Sequence, residues 1–228
     1  MVVKRSQGAI ISCPSAAVYT CLALAYEYAA RHPAPITHHS SHFSAVTAHD
    51  LRTPSAWVCR WADRVPAGGR VLDVACGNGR HARHFAALGH PVEAVDRDPD
   101  MPVRLAGIPG VSARTADLEG APWPYPEARF AGIVVVNYLH RPLIPQLLGA
   151  LALDGVLIYE TFAAGNERYG RPTNPAFLLQ PGELLEAVRH RLRVIAYEDL
   201  TVAEPRPARI QRICAVNSPD LLDGKSNS

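Results

Sequence analysis

From position 70 onward the chain switches repeatedly between short apolar runs and amphipathic stretches. Runs at Arg70–Val74, Pro91–Asp96, Val111–Thr115, Phe130–Val136 and Gly155–Thr161 predict five strands, and Leu192–Glu198 and Arg209–Asn217 predict two more. Between them, helical spacing covers Arg80–Leu88, a short segment opened by Asp98-Pro99, Leu143–Leu153 behind Pro142, and Pro181–Arg189. Phe130–Val136 is apolar throughout, as expected of a strand buried on both faces of a parallel sheet. Helices alternating with strands predict a mostly parallel sheet covered on both faces. The last two strands have no helix between them and should form a hairpin, which places one antiparallel strand in the sheet. The expected fold class is α/β: a doubly wound, seven-stranded sheet.

Ahead of this alternation, Thr53 is suited to cap a helix with Pro54 at its first position. Trp57, Trp61 and Val65 then share one face, and Pro66-Ala-Gly-Gly69 stops the element. Two tryptophans at that spacing predict packing against the sheet. In the first fifty residues, Tyr19, Leu22, Tyr26 and Ala30 recur at helical spacing before Pro33, and Pro33–Ser44 reads as a linker. Lys4 and Arg5 precede a mildly apolar stretch as in a secretory signal, but Tyr19, Glu27, Tyr28 and two cysteines interrupt it. The stretch is also too short and polar to span a membrane. The expected organisation is an extension over 1–50, partly helical or disordered, one domain over 51–217, and a flexible tail over 218–228.

A chain of 228 residues, 48% hydrophobic and 19% charged, has room for one α/β core. Its formal charge of +2 gives no argument for a nucleic-acid or membrane partner, with nucleic acid still open; a small molecule is the expected partner and no membrane is. Cys13, Cys21, Cys59, Cys76 and Cys214 show no CxxC spacing, so a reducing, cytoplasmic setting is expected, with the thiols as small buried hydrophobes. His38, His39 and His42 have no cysteine or carboxylate cluster at ligand spacing, and no metal site is expected. Nothing in the composition bears on oligomeric state.

Chemistry should gather at the carboxyl ends of the strands, where open α/β sheets bind ligands. Those ends supply Asp73 and the turn Ala75-Cys76-Gly77-Asn78-Gly79, then Asp96, Asp117-Leu118, Asn137-Tyr138 and Glu160-Thr161. Gly77 and Gly79 let the backbone turn sharply and approach a ligand. Two cofactors fit such a turn. Gly77-Asn78-Gly79-Arg80-His81-Ala82 matches G-x-G-x-x-G/A, with Asp96 where a ribose-binding acid belongs, which is the NAD-dependent oxidoreductase reading. Asp73 argues against it, since an acid just before the turn would repel a pyrophosphate, whereas it could receive the ammonium of an amino-acid-bearing cofactor.

With these motifs the sequence resembles the class I S-adenosylmethionine-dependent methyltransferases over about Thr53 to Asn217, which implies a Rossmann-like fold. Val71-Leu-Asp-Val-Ala-Cys-Gly-Asn-Gly79 is similar to their first motif, with Ala75 in place of its usual first glycine. Trp123-Pro-Tyr-Pro with Phe130–Asn137, and Leu151–Tyr159, resemble the motifs around strands four and five. The resemblance implies S-adenosyl-L-methionine as cofactor. Asp73, Ala75, Cys76, Gly77, Asn78 and Gly79 would bind its methionine part, Asp96 and Arg97 its ribose, and Asp117 and Leu118 its adenine, with Asn137 and Tyr138 completing the wall. Phe177-Leu-Leu-Gln-Pro-Gly-Glu183 and Arg209–Val216 resemble the small tellurite-resistance type within the class.

The acceptor is expected beside the long polar loop Glu160–Pro175, where Asn166, Arg168, Tyr169 and Arg171 are candidate contacts. Asn166 and Arg168 have the alternative of bracing the loop's own backbone. Tyr138, His140 and Glu160 are the candidates to stand near the methyl group, although a sulfonium carries its own leaving group and no catalytic base is compulsory. His81 and His84 are expected on the surface. Three other functions remain compatible with these residues: the NAD-dependent oxidoreductase, a cofactor-binding protein without catalysis, and a tRNA or protein methyltransferase using Arg168, Arg171, Arg206, Arg209 and Arg212.

Overall fold

The computed structural model describes residues 53–218. The helix and linker expected before position 50, the histidines at 38, 39 and 42, and the tail from Pro219 lie outside the described residues.

The elements follow in the order α1 (Ala56–Trp61), β1 (Val71–Val74), α2 (Arg80–Ala87), β2 (Val92–Asp96), α3 (Met101–Leu105), β3 (Val111–Thr115), β4 (Phe130–Val136), α4 (Ile144–Ala150), β5 (Leu151–Phe162), α5 (Glu183–Val188), β6 (Arg193–Val202) and β7 (Ala208–Val216). The strands form one seven-stranded sheet in the order β3-β2-β1-β4-β5-β7-β6. Its strands run parallel except β7, which is antiparallel to both β5 and β6. Strand order reverses between β1 and β4, so a crevice opens beyond the carboxyl ends of those strands.

Each central strand is apolar on both faces and therefore feeds two cores. Leu72, Ile133, Val135, Leu157, Tyr159 and Ile213 pack with α4 and α5 on one side. Val71, Val134, Ile158 and Cys214 pack with Trp57, Phe85 and Met101 of α1, α2 and α3 on the other. The two-residue period of a strand makes this division. Trp57 is 1% exposed, and its indole N–H donates to the Ile213 carbonyl at 3.2 Å. The tryptophan face is thus core packing, as its spacing predicts.

Two boundaries differ from the sequence expectation. The first helix starts two residues later than Thr53-Pro54 suggests, because Ser55 is the cap: its hydroxyl oxygen accepts the Trp57 N–H at 3.1 Å. That hydroxyl also donates to Glu160, 105 positions away, at 2.8 Å, a contact that fixes which of the polar residues caps. The fifth strand begins at Leu151, not Gly155, and α4 ends at Ala150. Leu151 pairs with Phe130 and the register then jumps to Gly132↔Val156. The Asn217 amide donates to the Leu151 and Ala152 carbonyls at 3.1 and 3.0 Å, holding the irregular segment from the far end of the chain.

Candidate active site

The turn after β1 is made by backbone conformation. Ala75, Gly77 and Gly79 have φ of 51°, 55° and 70°, in the left-handed region, and the Gly79 N–H closes the turn on the Cys76 carbonyl at 2.8 Å. Gly77 has open space where a Cβ would project, so a ligand can approach its backbone. Gly79 serves packing as well, since a Cβ there would lie 2.3 Å from Leu105 Cδ2.

Both acids of the motif shape this turn. Asp73 is 1% exposed and its Oδ2 accepts the Ala82 N–H at 2.8 Å, tying the first turn of α2 to β1. Asp96 Oδ2 accepts the Gly77 N–H at 2.8 Å, and its Oδ1 accepts the Asp98 N–H at 3.0 Å. Asp96 remains half-buried, with lone pairs available to a diol.

The turn opens into a cavity of about 780 Å³, a volume typical of small-ligand sites. Asp73, Ala75, Cys76, Gly77, Asn78 and Asn137 line one end. The other end is walled by Thr53–Ala56, by Glu160 and Phe162 of β5, and by Val202, Glu204, Arg206, Ala208, Ile210 and Arg212 of the β6–β7 hairpin. This second wall is built in cross-strand rows. Glu160, Arg212 and Glu198 stand opposite one another across β5, β7 and β6; Phe162, Ile210 and Leu200 form the next row, and Ala208 pairs with Val202 beyond it. Arg212 donates to Glu198 from Nε at 2.7 Å and Nη2 at 2.5 Å, and lies 4.7 Å over the Trp57 ring. Its contact with Glu160 is longer, 3.4 Å.

Burial pushes the Asp73 carboxyl up to about 7, an effect that Asp96 adds to and that the Ala82 N–H and Arg80 oppose. Burial also lowers His81 to about 3, with Arg80 and His84 adding to it. The imidazole is therefore neutral. Its Nε2 accepts the Ser55 N–H at 3.2 Å, which puts the ring proton on Nδ1, 4.0 Å from Asp73 Oδ1. His81 is consequently not the surface residue that its helix position suggests; it is 3% exposed. His84 is half-buried. Both lie where α2 packs on the segment before β1, a contact that helical spacing alone does not reveal.

The expected adenine-side residues gather outside the cavity. Asp117 is exposed, with its Oδ1 accepting the Glu119 N–H at 3.0 Å, and Leu118 is buried. The Tyr138 phenol is pushed well above its ordinary range, first by burial, then by Glu119 and Asp117, against Arg97. Of the three candidates for the methyl-facing position, Glu160 lines the cavity, and Tyr138 and His140 do not.

The long loop after β5 stands apart from this cavity. Asn166, Arg168, Tyr169 and Arg171 are absent from the cavity lining. Asn166 is 1% exposed; its amide donates to the Pro172 carbonyl and its oxygen accepts the Arg209 N–H, both at 3.2 Å. It braces the loop against β7, and Arg168, Tyr169 and Arg171 face solvent. The β6–β7 hairpin lines the cavity instead. Ala208, Ile210 and Arg212 alternate along one face of a predicted hairpin, but the register that sets Arg212 between Glu160 and Glu198 is not displayed in the sequence.

Three comparisons bear on this site. Residues 71–152 match a family model described as a methyltransferase domain. A protein-L-isoaspartate O-methyltransferase from Chlorobaculum tepidum is 31% identical over 46% of this chain and 50% of its own. The chain thus spans about half the length of the curated relative it matches. TehB from Haemophilus influenzae has a similar fold, with a TM-score of 0.59 and 15% identity over 76% of this chain and 63% of that one. A 1,6-didemethyltoxoflavin-N1-methyltransferase from Burkholderia thailandensis, solved with S-adenosylhomocysteine, gives a TM-score of 0.57 and 20% identity over 93% of each chain. The domain match covers the first-motif turn, and the fold is shared with TehB and with the Burkholderia thailandensis methyltransferase.

Proposed function

We propose that this chain is a class I methyltransferase that transfers a methyl group to a small molecule bound between its glycine turn and the β6–β7 hairpin. The observation that carries this reading is one continuous cavity joining the first-motif turn to a side-chain-lined wall. S-adenosylmethionine is the cofactor, and it supplies a methyl carbon on a sulfonium leaving group. The open face of Gly77 and the acceptor-rich Asp96 suit its amino-acid and ribose parts, and Asp73 offers a carboxylate to the cavity beside the glycine turn. Tyr138, Asp117 and Arg97 converge beyond Asn137 and suit the adenine end. The protein's part is to hold the acceptor in line, exclude water and leave the chemistry to geometry.

A nucleic-acid acceptor fits less well. Of the arginines expected to converge, Arg209 pairs with Asp199 and Arg212 with Glu160 and Glu198, so they add no net positive surface. Among the described residues no helix is long and apolar enough to cross a membrane, and Cys59, Cys76 and Cys214 are free thiols, which supports action in the cytoplasm. The test is calorimetric titration of the full chain with S-adenosylhomocysteine, followed by incubation with methyl-labelled cofactor and a small-molecule extract. Binding and label in the low-molecular-weight fraction are expected. Failure of folded protein to bind overturns the reading.

A further inference from the structure

Resting on that methyltransferase reading, we propose that the acceptor is an uncharged small molecule with a flat apolar body and one N–H or O–H nucleophile, and that the Glu160 carboxylate anchors it through that group. The argument begins with the row order of the wall. Glu160 pairs in register with Val136, the last residue of β4, so its row stands level with the glycine turn. Phe162 and Ile210 follow one row further out, about 7 Å along the strands. A polar row nearest the transferable methyl and apolar rows beyond it fit a molecule with one polar end and a flat apolar remainder.

Glu160 is the group in the polar row with acceptor capacity to offer. Arg212 is held in two places by Glu198 and covered by Trp57, so its hold on Glu160 is the loose 3.4 Å contact. The Ser55 hydroxyl occupies one lone pair of Oε1 at 2.8 Å. A carboxylate has about four such sites, which leaves room for an N–H or O–H. Ser55 acts as a positioning residue, because its backbone N–H is fixed on His81 and its hydroxyl sets the Glu160 rotamer.

Charge explains why the acceptor is uncharged. Among the described residues the wall beyond the turn holds two carboxylates, Glu160 and Glu204, and two guanidiniums, Arg206 and Arg212. Such a wall draws neither cations nor anions by net field. In the transfer, the acceptor nitrogen or oxygen forms a bond to the methyl carbon as the carbon–sulfur bond breaks, and that electron pair stays on sulfur. The sulfonium becomes a neutral thioether, and the acceptor's proton passes to a Glu160 oxygen.

The test uses four probes on full-length protein saturated with S-adenosylhomocysteine: 4-methylphenol, its methyl ether, 4-hydroxybenzoate and tyramine. Calorimetry should rank 4-methylphenol above the other three. Glu160→Gln should weaken 4-methylphenol at least tenfold and slow its methylation about 100-fold, with S-adenosylhomocysteine affinity and melting midpoint unchanged. Phe162→Ala should weaken 4-methylphenol in the same way and serves if the first variant fails to fold. If the wild type binds S-adenosylhomocysteine but none of the probes, if a charged probe or the ether binds best, or if Glu160→Gln binds and methylates 4-methylphenol like wild type, this proposal falls and the methyltransferase reading stands. If the wild type does not bind S-adenosylhomocysteine, both fall.

Discussion

The two halves of the sheet build the two ends of the cavity by different means. On the parallel side, β1, β2 and β4 are short apolar strands that end in a turn, and the ligand-facing surface there is largely main chain: left-handed Ala75, Gly77 and Gly79, with Asp73 and Asp96 bonded to backbone N–H groups. On the antiparallel side, β5, β7 and β6 offer side chains in rows, Glu160–Arg212–Glu198 and Phe162–Ile210–Leu200. A surface made of backbone keeps its shape under most substitutions outside its glycines and acids. A surface made of side-chain rows changes chemistry with any one residue. The first arrangement suits an invariant cofactor, and the second suits an acceptor that differs between relatives of one fold.

Substitutions can break this contrast, beginning with the largest effect. Trp57 supports the antiparallel half from beneath Arg212 and donates to β7. Trp57→Ala should therefore lower stability by about 3–5 kcal/mol, read by urea denaturation. A loss under about 1 kcal/mol would show that the rows stand without it.

Asp73 sets the opposite half and has a pH signature. Its folded pKa, about 7, lies above the ordinary 3.8. Below pH 3.8 both states hold the proton; between the two values the unfolded chain ionises and the folded one does not, so stability falls as pH rises, and above 7 the loss is complete. Asp73→Asn escapes this titration while its side-chain oxygen can still accept the Ala82 N–H. The melting midpoint of the variant minus that of wild type should climb between pH 4 and pH 7, by an amount worth a few kcal/mol, and then level off. A flat difference would mean that burial of Asp73 is relieved. His81 titrates in the other sense, its contribution fading as pH falls from 6.5 toward 3.

Asp96→Ala removes the carboxylate that holds the Gly77 and Asp98 N–H groups. S-adenosylhomocysteine should bind more weakly by about 1.5–3 kcal/mol, by calorimetry, with binding of an acceptor probe to the hairpin rows less affected. Equal weakening of both would merge the two ends into one cooperative unit. Ala75 has φ 51° where L side chains are disfavoured, so Ala75→Gly should stabilise the fold by up to about 1 kcal/mol without loss of cofactor binding. The smallest effect is expected from Arg168→Ala with Arg171→Ala. Both side chains lie outside the cavity lining, and methyl transfer should stay within about twofold of wild type. A tenfold loss would restore the loop to the acceptor site.

What could be read from the chain follows from which contacts are local. Strand and helix periodicity, the turn at Ala75–Gly79, the acids at the strand ends and the hairpin of the last two strands are patterns within a few residues, and they led to the doubly wound sheet with one antiparallel strand and to the resemblance to methyltransferases. The sheet order placed β7 between β5 and β6, and that placement set Arg212 opposite Glu160, 52 positions away. Ser55 as helix cap, His81 as a buried neutral ring and Asn166 as a loop brace likewise depend on partners at 105, 26 and 43 positions' distance. Local pattern thus determined the elements and the glycine turn, because a turn's conformation is encoded in its own residues. The side-chain rows of the opposite wall were decided by tertiary structure, because cross-strand neighbours are chosen by register and a sequence does not display register.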